Sequence, residues 1–305
     1  MSKRIGYLTS AAPDSAAAVD GFQQFRQGLE DLGYRVGADI DIVYRSTQES
    51  GKGFPDLAAE LVDLPVDIIV VGDSRAIPIA KDATSTMDNP IPIVMAISGD
   101  VVGLGLVASL ARPGGNLTGL TDLSRPLSVK RLELLREVKP QTSRVAVLWN
   151  GDHPGVGLAW GDLQAAAGAL GVALVSLEVR GGDVATALGT LTPQPGDALC
   201  VLPDPLTNLH AQEIVDFAAR QQLPAIYGTK LFLDAGGLMY YGPSRAAMSR
   251  RAAGYVHEIL NGADPATLPI EEPSVFDLAI NFKAAQALKL KIPQTVCLKT
   301  PELRE

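Results

Sequence analysis

The chain has 305 residues, more than one hydrophobic core usually serves, so two lobes of ordinary domain size are expected rather than one sheet. With 47% apolar and 20% charged residues, and no low-complexity tract or like-charge block, its composition excludes a disordered chain. The formal net charge of −8 disfavours a nucleic-acid partner, which needs clustered Lys and Arg, and no apolar run is long enough to span a bilayer.

Short β-branched runs alternate with amphipathic stretches from the first residues, the pattern of a parallel sheet with helices on both faces. In the first half, strands are expected at 4–9, 40–45, 67–72, 91–97 and 116–121. Between the first two, Val19, Phe22, Phe25, Leu29 and Leu32 recur at helical spacing, with Gly33 where a left-handed helix end wants glycine. Pro55 suits a first helical position, followed by the apolar stripe Leu57, Leu61 and Val62. After a helix at 127–138 and Pro140 the pattern restarts, with strands at 144–149, 172–179, 198–202, 225–227 and 238–241. A further helix carries Met248, Arg251, Ala252, Tyr255 and Ile259 on one face and ends at Gly262. The basic cluster Arg245, Arg250 and Arg251 on it reads as a solvated face. An extended segment at 275–281 and a short helix at 282–290 close the chain. Two similar sets and a returning tail suggest that the chain crosses between lobes more than once.

Six strings, FRQGLEDLGY (25–34), LAAELVDLPVDIIVV (57–71), GLVASLARPGGNLTGL (105–120), KRLELLREVKP (130–140), GGLMYYGP (236–243) and INFKAAQALKLKIPQ (280–294), together resemble the ABC transporter substrate-binding family typified by tryptophan-binding lipoproteins. The resemblance covers essentially the whole chain and implies a type I periplasmic-binding-protein fold. That fold is α/β, with two doubly wound parallel-sheet lobes joined by a three-crossover hinge and a ligand held in the cleft between them. On this reading the lobes are 1–118 with 243–275, and 119–242 with 276–305. The ending VCLKTPELRE (296–305) departs from the family's usual acidic, apolar tail.

Ligands of open α/β sheets gather at the carboxyl ends of the strands, where loops and helix starts present unpaired N–H groups. This makes Thr9, Ser10, Asp73, Ser74, Ser98 and Gly99 the candidates in the first lobe, and Asn150, Asp152, Asp204, Tyr227, Thr229 and Tyr241 those in the second. Ser74 follows a strand and precedes a helix start at Arg75–Pro78. A ligand carboxylate there would meet its hydroxyl and the positive helix end, although Ser74 could equally cap that helix. Asp204, after the apolar strand ALCVLP, could meet a ligand ammonium, or could be a turn or capping residue. Tyr227 and Tyr241 are better stacking candidates than Trp149, which should face the core.

Catalytic readings find no support. His153, His210 and His257 have no partner at metal-ligand spacing, and no GxSxG, Walker or post-strand GxGxxG motif occurs. No catalytic residue, metal or cofactor is therefore expected. The reading is a solute-binding component of an ABC importer, acting as a monomer that captures a small molecule by hinge closure and is recognised by a membrane permease. The ligand class the resemblance implies is an amino acid, aromatic or apolar, or a related small carboxylate. The family implies an extracytoplasmic, periplasmic or lipid-anchored protein. The start MSKRIGYLTS shows no export signal, so either that signal has been removed or the protein is a cytosolic sensor of the same fold acting on a regulatory partner. Cys200 and Cys297 read as two separate buried thiols rather than a disulfide.

Overall fold

Continuous apolar strands such as Ile68–Val71 are fully buried because helices cover both of their faces, as parallel sheets require. The computed structural model describes residues 2–15, 18–122, 126–298 and 302–304. The chain divides into two compact units, Met1–Leu123 with Pro243–Val275, and Ser124–Gly242 with Phe276–Glu305.

The first unit holds β1 (Lys3–Thr9), β2 (Ile40–Ser46), β3 (Ile68–Val71), β4 (Ile93–Met95) and β5 (Leu117–Gly119) in the order β2-β1-β3-β4-β5, all pairs parallel. Alternation divides its side chains between two cores. Ile5, Tyr7, Ile68, Val70 and Val94 pack on one face beneath α1 (Gln24–Asp31) and the long helix Arg245–Leu260. Leu8, Ile69, Val71, Ile93 and Met95 pack on the other, beneath the helices Phe54–Asp63 and Ala76–Thr84. The helix α1 continues a π-turn at Val19–Gln23. Gly28 is required where α1 meets the long helix, since a Cβ there would lie 2.8 Å from the Arg250 carbonyl and 2.9 Å from the Ala253 Cβ.

The second unit holds β6 (Arg144–Asn150), β7 (Ala173–Val179), β8 (Asp197–Val201), β9 (Ala225–Tyr227), β10 (Met239–Pro243), β11 (Phe276–Asn281) and β12 (Glu302–Arg304). Their order is β12-β11-β10-β9-β8-β6-β7, and the β6–β7, β6–β8, β8–β9, β9–β10 and β11–β12 pairs are parallel. Val147, Trp149, Ala198 and Cys200 face one core, with Leu132, Leu135 and Leu163 from the helices Pro126–Val138 and Pro154–Ala167. Ala146, Leu148, Leu199 and Val201 face the other, with Leu188, Ile214 and Phe217.

Three expected elements come out differently, one being the strand expected at 116–121, which shortens to Leu117–Gly119. The strand expected at 91–97 narrows to Ile93–Met95, because Pro92 has no N–H and enters the ladder only through its carbonyl, which accepts from Ile69 N at 2.9 Å. The closing helix expected at 282–290 stops at Ala287, with Lys289 at a positive φ of 55°. A short helix, Gln294–Cys297, and β12 then extend the sheet. Both cysteines are free, but only Cys200 is fully buried and Cys297 is half-buried.

Candidate ligand-binding site

In the first unit the carboxyl ends of β1 and β3 are tied together by side chains. Ser10 Oγ donates to Asp73 Oδ2 at 2.5 Å, and the Arg75 guanidinium donates to both Asp73 oxygens at 3.0 and 2.7 Å. Burial pushes the Asp73 carboxyl up, but these hydrogen bonds outweigh burial and hold it below the usual carboxylate range. Asp73 also accepts from Arg75 N at 3.0 Å, closing a turn just before the following helix, which has no side-chain cap. Ser74 does not cap that helix and stays exposed at its entrance. Pro78 falls within the first turn of that helix, where its missing N–H costs nothing.

The other first-unit candidates are engaged internally. Thr9 is buried, its hydroxyl accepting from Ala11 N at 3.3 Å. Ser98 is fully buried and donates to the Leu120 carbonyl at 2.8 Å, so its hydroxyl fastens the segment after β4 to the residue after β5. The half-buried Gly99 offers its carbonyl to Thr121 Oγ1 at 3.0 Å.

In the second unit Asn150, at the end of β6, donates through Nδ2 to Asp204 Oδ1 at 3.0 Å. That same oxygen caps the short helix Pro205–Leu209, accepting from Leu206 N at 2.8 Å. Asp204 is 4% exposed, and its second oxygen, Oδ2, is buried without a hydrogen-bond partner among the described residues. Asp152 is exposed and accepts from Gly181 N at 2.8 Å. Thr229 Oγ1 donates to Asn208 Oδ1 at 2.8 Å, which places it beside the Asp204 helix. Tyr241 is half-buried, tilted against Phe276 at 6.1 Å.

Tyr227, expected as a stacking surface, lies inside the core. It is 1% exposed and stacks on Phe232 at 4.6 Å, and burial pushes its phenol pKa up. Trp149 is core-facing as read, its Nε1 donating to Ser176 Oγ at 2.8 Å. The histidines are all engaged: His153 Nδ1 caps its helix, His210 meets Glu213 at 2.9 Å and His257 meets Tyr34 at 2.9 Å. No metal-holding cluster occurs among the described residues.

The basic cluster is solvated at Arg250, which is exposed, and in part at Arg251, but not as a whole. Arg250 bonds Gln24 and Asp31, and Arg251 bonds Glu258 and Glu271 while lying 4.5 Å over the Tyr255 ring. Arg245, read from the sequence as surface, instead donates through Nη2 to the Gly72 carbonyl at 2.6 Å, at the end of β3. The missed signal is spacing: Arg245 stands three residues before buried Met248 and seven before buried Ala252, on the inward stripe of its helix.

Comparison with known proteins bears on what this arrangement is for. A family model described as ABC transporter substrate binding protein matches residues 11–303. The chain belongs to that family. Among curated proteins it is similar to a tyrosine-binding protein of Clostridioides difficile (strain R20291), 26% identical over 269 residues that are 88% of this chain and 76% of the relative. Among solved structures it is similar to an ABC domain in complex with L-Trp from Streptococcus pneumonia, with a TM-score of 0.78, 22% identity and coverage of 99% of this chain and 100% of that one. A ligand-free, open substrate-binding protein with adhesive properties from Clostridium difficile superposes with a TM-score of 0.73 at 23% identity, covering 96% of each chain. These likenesses show a type I periplasmic-binding-protein fold. As the substrate-binding protein of an ABC transporter, the chain binds a solute and performs no chemistry on it, and members of the family work outside the cytoplasm.

Proposed function

We propose that the solute is an amino acid with an aromatic or apolar side chain, or a related small carboxylate, captured by hinge closure and handed to a membrane permease. One observation carries this reading: the buried, unpartnered Oδ2 of Asp204. A carboxylate oxygen removed from water without a donor is costly, so such an atom is a candidate receptor for a ligand ammonium. Asn150 fixes the other oxygen and thereby aims the free one. In the first unit the carboxylate is proposed to lie at the helix entrance by Ser74, where Ser10 and Asp73 frame the strand ends, and Tyr241 and Thr229 of the second unit belong to the same candidate set. Similarity to a tyrosine-binding protein and to an L-Trp-bound domain supports an aromatic ligand. The protein is proposed to act as a monomer in the periplasm or on a lipid anchor, with no nucleic-acid partner.

A thermal-shift screen over the amino acids, their deaminated acids and a set of sugars tests the reading. A true ligand at 100 times its dissociation constant adds about 2.7 kcal/mol of stability. That corresponds to a rise in melting temperature of roughly 5–10 °C for units of this size. Stabilisation by sugars alone would refute it, and equal stabilisation by amino acids and their deaminated acids would leave a small-carboxylate ligand while removing the role given to Asp204.

A further inference from the structure

We propose that Arg245 is the anion-recognising residue of the first unit and takes the carboxylate of the ligand through its guanidinium. The proposal rests on the reading above that the ligand is a carboxylate, and it adds a charged donor where the sequence suggested only serine hydroxyls and helix-start N–H groups.

Position comes first. Arg245 opens the long helix Arg245–Leu260, directly after Ser244, whose hydroxyl accepts from Ala247 N at 3.5 Å. The positive end of a 16-residue helix and a guanidinium therefore occupy one place, and both favour an anion. The bond from Nη2 to the Gly72 carbonyl pins the guanidinium at the carboxyl end of β3, two residues before Ser74 and one before the Asp73 that Ser10 holds.

Charge comes second. Arg75, Arg250 and Arg251 in this unit each reach a carboxylate, at 2.7, 3.1 and 2.6 Å. The recorded partner of Arg245 is a neutral carbonyl, and its Nε is buried with no acceptor among the described residues. A guanidinium stripped of water along one edge and given no counter-charge is poised for an incoming anion, because Arg matches a carboxylate with two parallel donors.

The surroundings fit a ring-bearing ligand. Gly21, in the π-turn, lies beside both Arg245 and Tyr7: a Cβ there would be in ordinary van der Waals contact, 3.5 Å from Arg245 Nε and 3.5 Å from the Tyr7 hydroxyl. The next residue, Phe22, and Tyr44 are only partly buried, with ring centroids 4.6 Å apart, and they supply an apolar surface beside the charge. Burial pushes the Tyr44 phenol up to about 12, so it stays a neutral donor, and it donates to the Ala11 carbonyl at 2.7 Å. Arginine at position 245 would then select for carboxylate over amide, and the rings for a flat or apolar side chain.

Isothermal titration with L-tryptophan, L-tyrosine and L-leucine, each paired with its carboxamide, separates ligand recognition from mere fastening of the helix to β3. Wild-type protein should favour the acid over the amide, and Arg245→Gln should lose about 10- to 100-fold on the acid, as for one hydrogen-bonded charge pair, while the amide changes less than about threefold. Arg245→Lys, which keeps the charge without the fork, should fall between them and carries the test if the glutamine variant does not fold. Equal weakening of acid and amide by both variants, or no change in either, would overturn the role given to Arg245 while leaving an amino-acid ligand standing. Binding of none of the six compounds by wild-type protein would overturn both readings together.

Discussion

Asp204 separates two contributions that a single residue rarely makes so distinctly, and Asp204→Asn should pull them apart. In the free protein, Oδ1 accepts from Asn150 Nδ2 at 3.0 Å and from Leu206 N at 2.8 Å, and an asparagine Oδ1 can keep both. What the substitution removes is a charge whose second oxygen is buried and unpaired, and what it adds is an amide donor in the same place. The two costs are of similar size, about 1–3 kcal/mol each, so the free variant should melt close to wild type, within about 1 kcal/mol. Asp204→Ala is the contrast: it loses the helix cap and the Asn150 bond, each worth about 1 kcal/mol, and should melt lower by roughly 4–8 °C. Ligand binding should reverse the ranking of severity. Asp204→Asn should weaken an amino acid by about 10- to 100-fold, through loss of a charge-assisted partner, while barely affecting the matching deaminated acid. Differential scanning calorimetry of the free variants and titration with L-tryptophan and indole-3-propionate measure both arms. An asparagine variant as unstable as the alanine variant would show that both oxygens are structural, and equal weakening of amine and deaminated ligand would remove Asp204 from the site.

Three further outcomes follow from the fold itself. Gly28→Ala should destabilise by about 1–3 kcal/mol despite better helix propensity, since its Cβ would meet the Arg250 carbonyl at 2.8 Å, whereas Gly161→Ala, with open space around it, should stabilise by about 0.5–1 kcal/mol; thermal melts of the pair decide. Maleimide at pH 8 should label the half-buried Cys297 in the native protein and Cys200 only after unfolding, because burial pushes the Cys200 thiol up to about 12. Arg144→Gln should lower the melting temperature at pH 7, since Asp197, whose side chain is 2% exposed, accepts from Arg144 at 2.7 and 2.5 Å and would keep only the Gln194 N donor. Burial raises the Asp197 pKa, but the bonds from Arg144 and Gln194 N outweigh it and leave the folded value below the unfolded one. Its contribution is therefore complete above about pH 4 and lost as pH falls through the folded value, and melting curves of wild type and variant should converge in acid.

The strands were legible because burial on both faces writes itself as contiguous Val, Ile and Leu, and the helices because their stripes alternate with those runs. Errors sit where a local backbone feature overrides pattern. Pro92 cuts β4 short, and Lys289, in the left-handed region, ends a helix that the apolar spacing of 282–290 would continue. Tyr227 shows a different limit. A three-residue strand buried on both sides hides even its last residue, so standing at a strand's carboxyl end does not by itself expose a side chain. Ser98 is similar: its hydroxyl is spent on the Leu120 carbonyl just after the neighbouring strand, a pairing visible only once strand order is known.

The two candidate ligand-binding groups, one in each unit, differ in the same way. Asp204 announces itself locally, as a carboxylate between an apolar strand and a proline, and both its capping bond and its free oxygen follow from that short string and one neighbour, Asn150. Arg245 does not, because its partner Gly72 lies 173 positions away and its neighbours Gly21 and Tyr7 lie in the first turns of the chain. Three cations on one helix read as a solvated face when only the helix is considered. Supplying the acids Asp31, Glu258 and Glu271 accounts for Arg250 and Arg251 and leaves Arg245 without a carboxylate among the described residues. A cation that the fold leaves unmatched, on the inward stripe of its helix, is retained at a cost in desolvation that an anionic solute would offset.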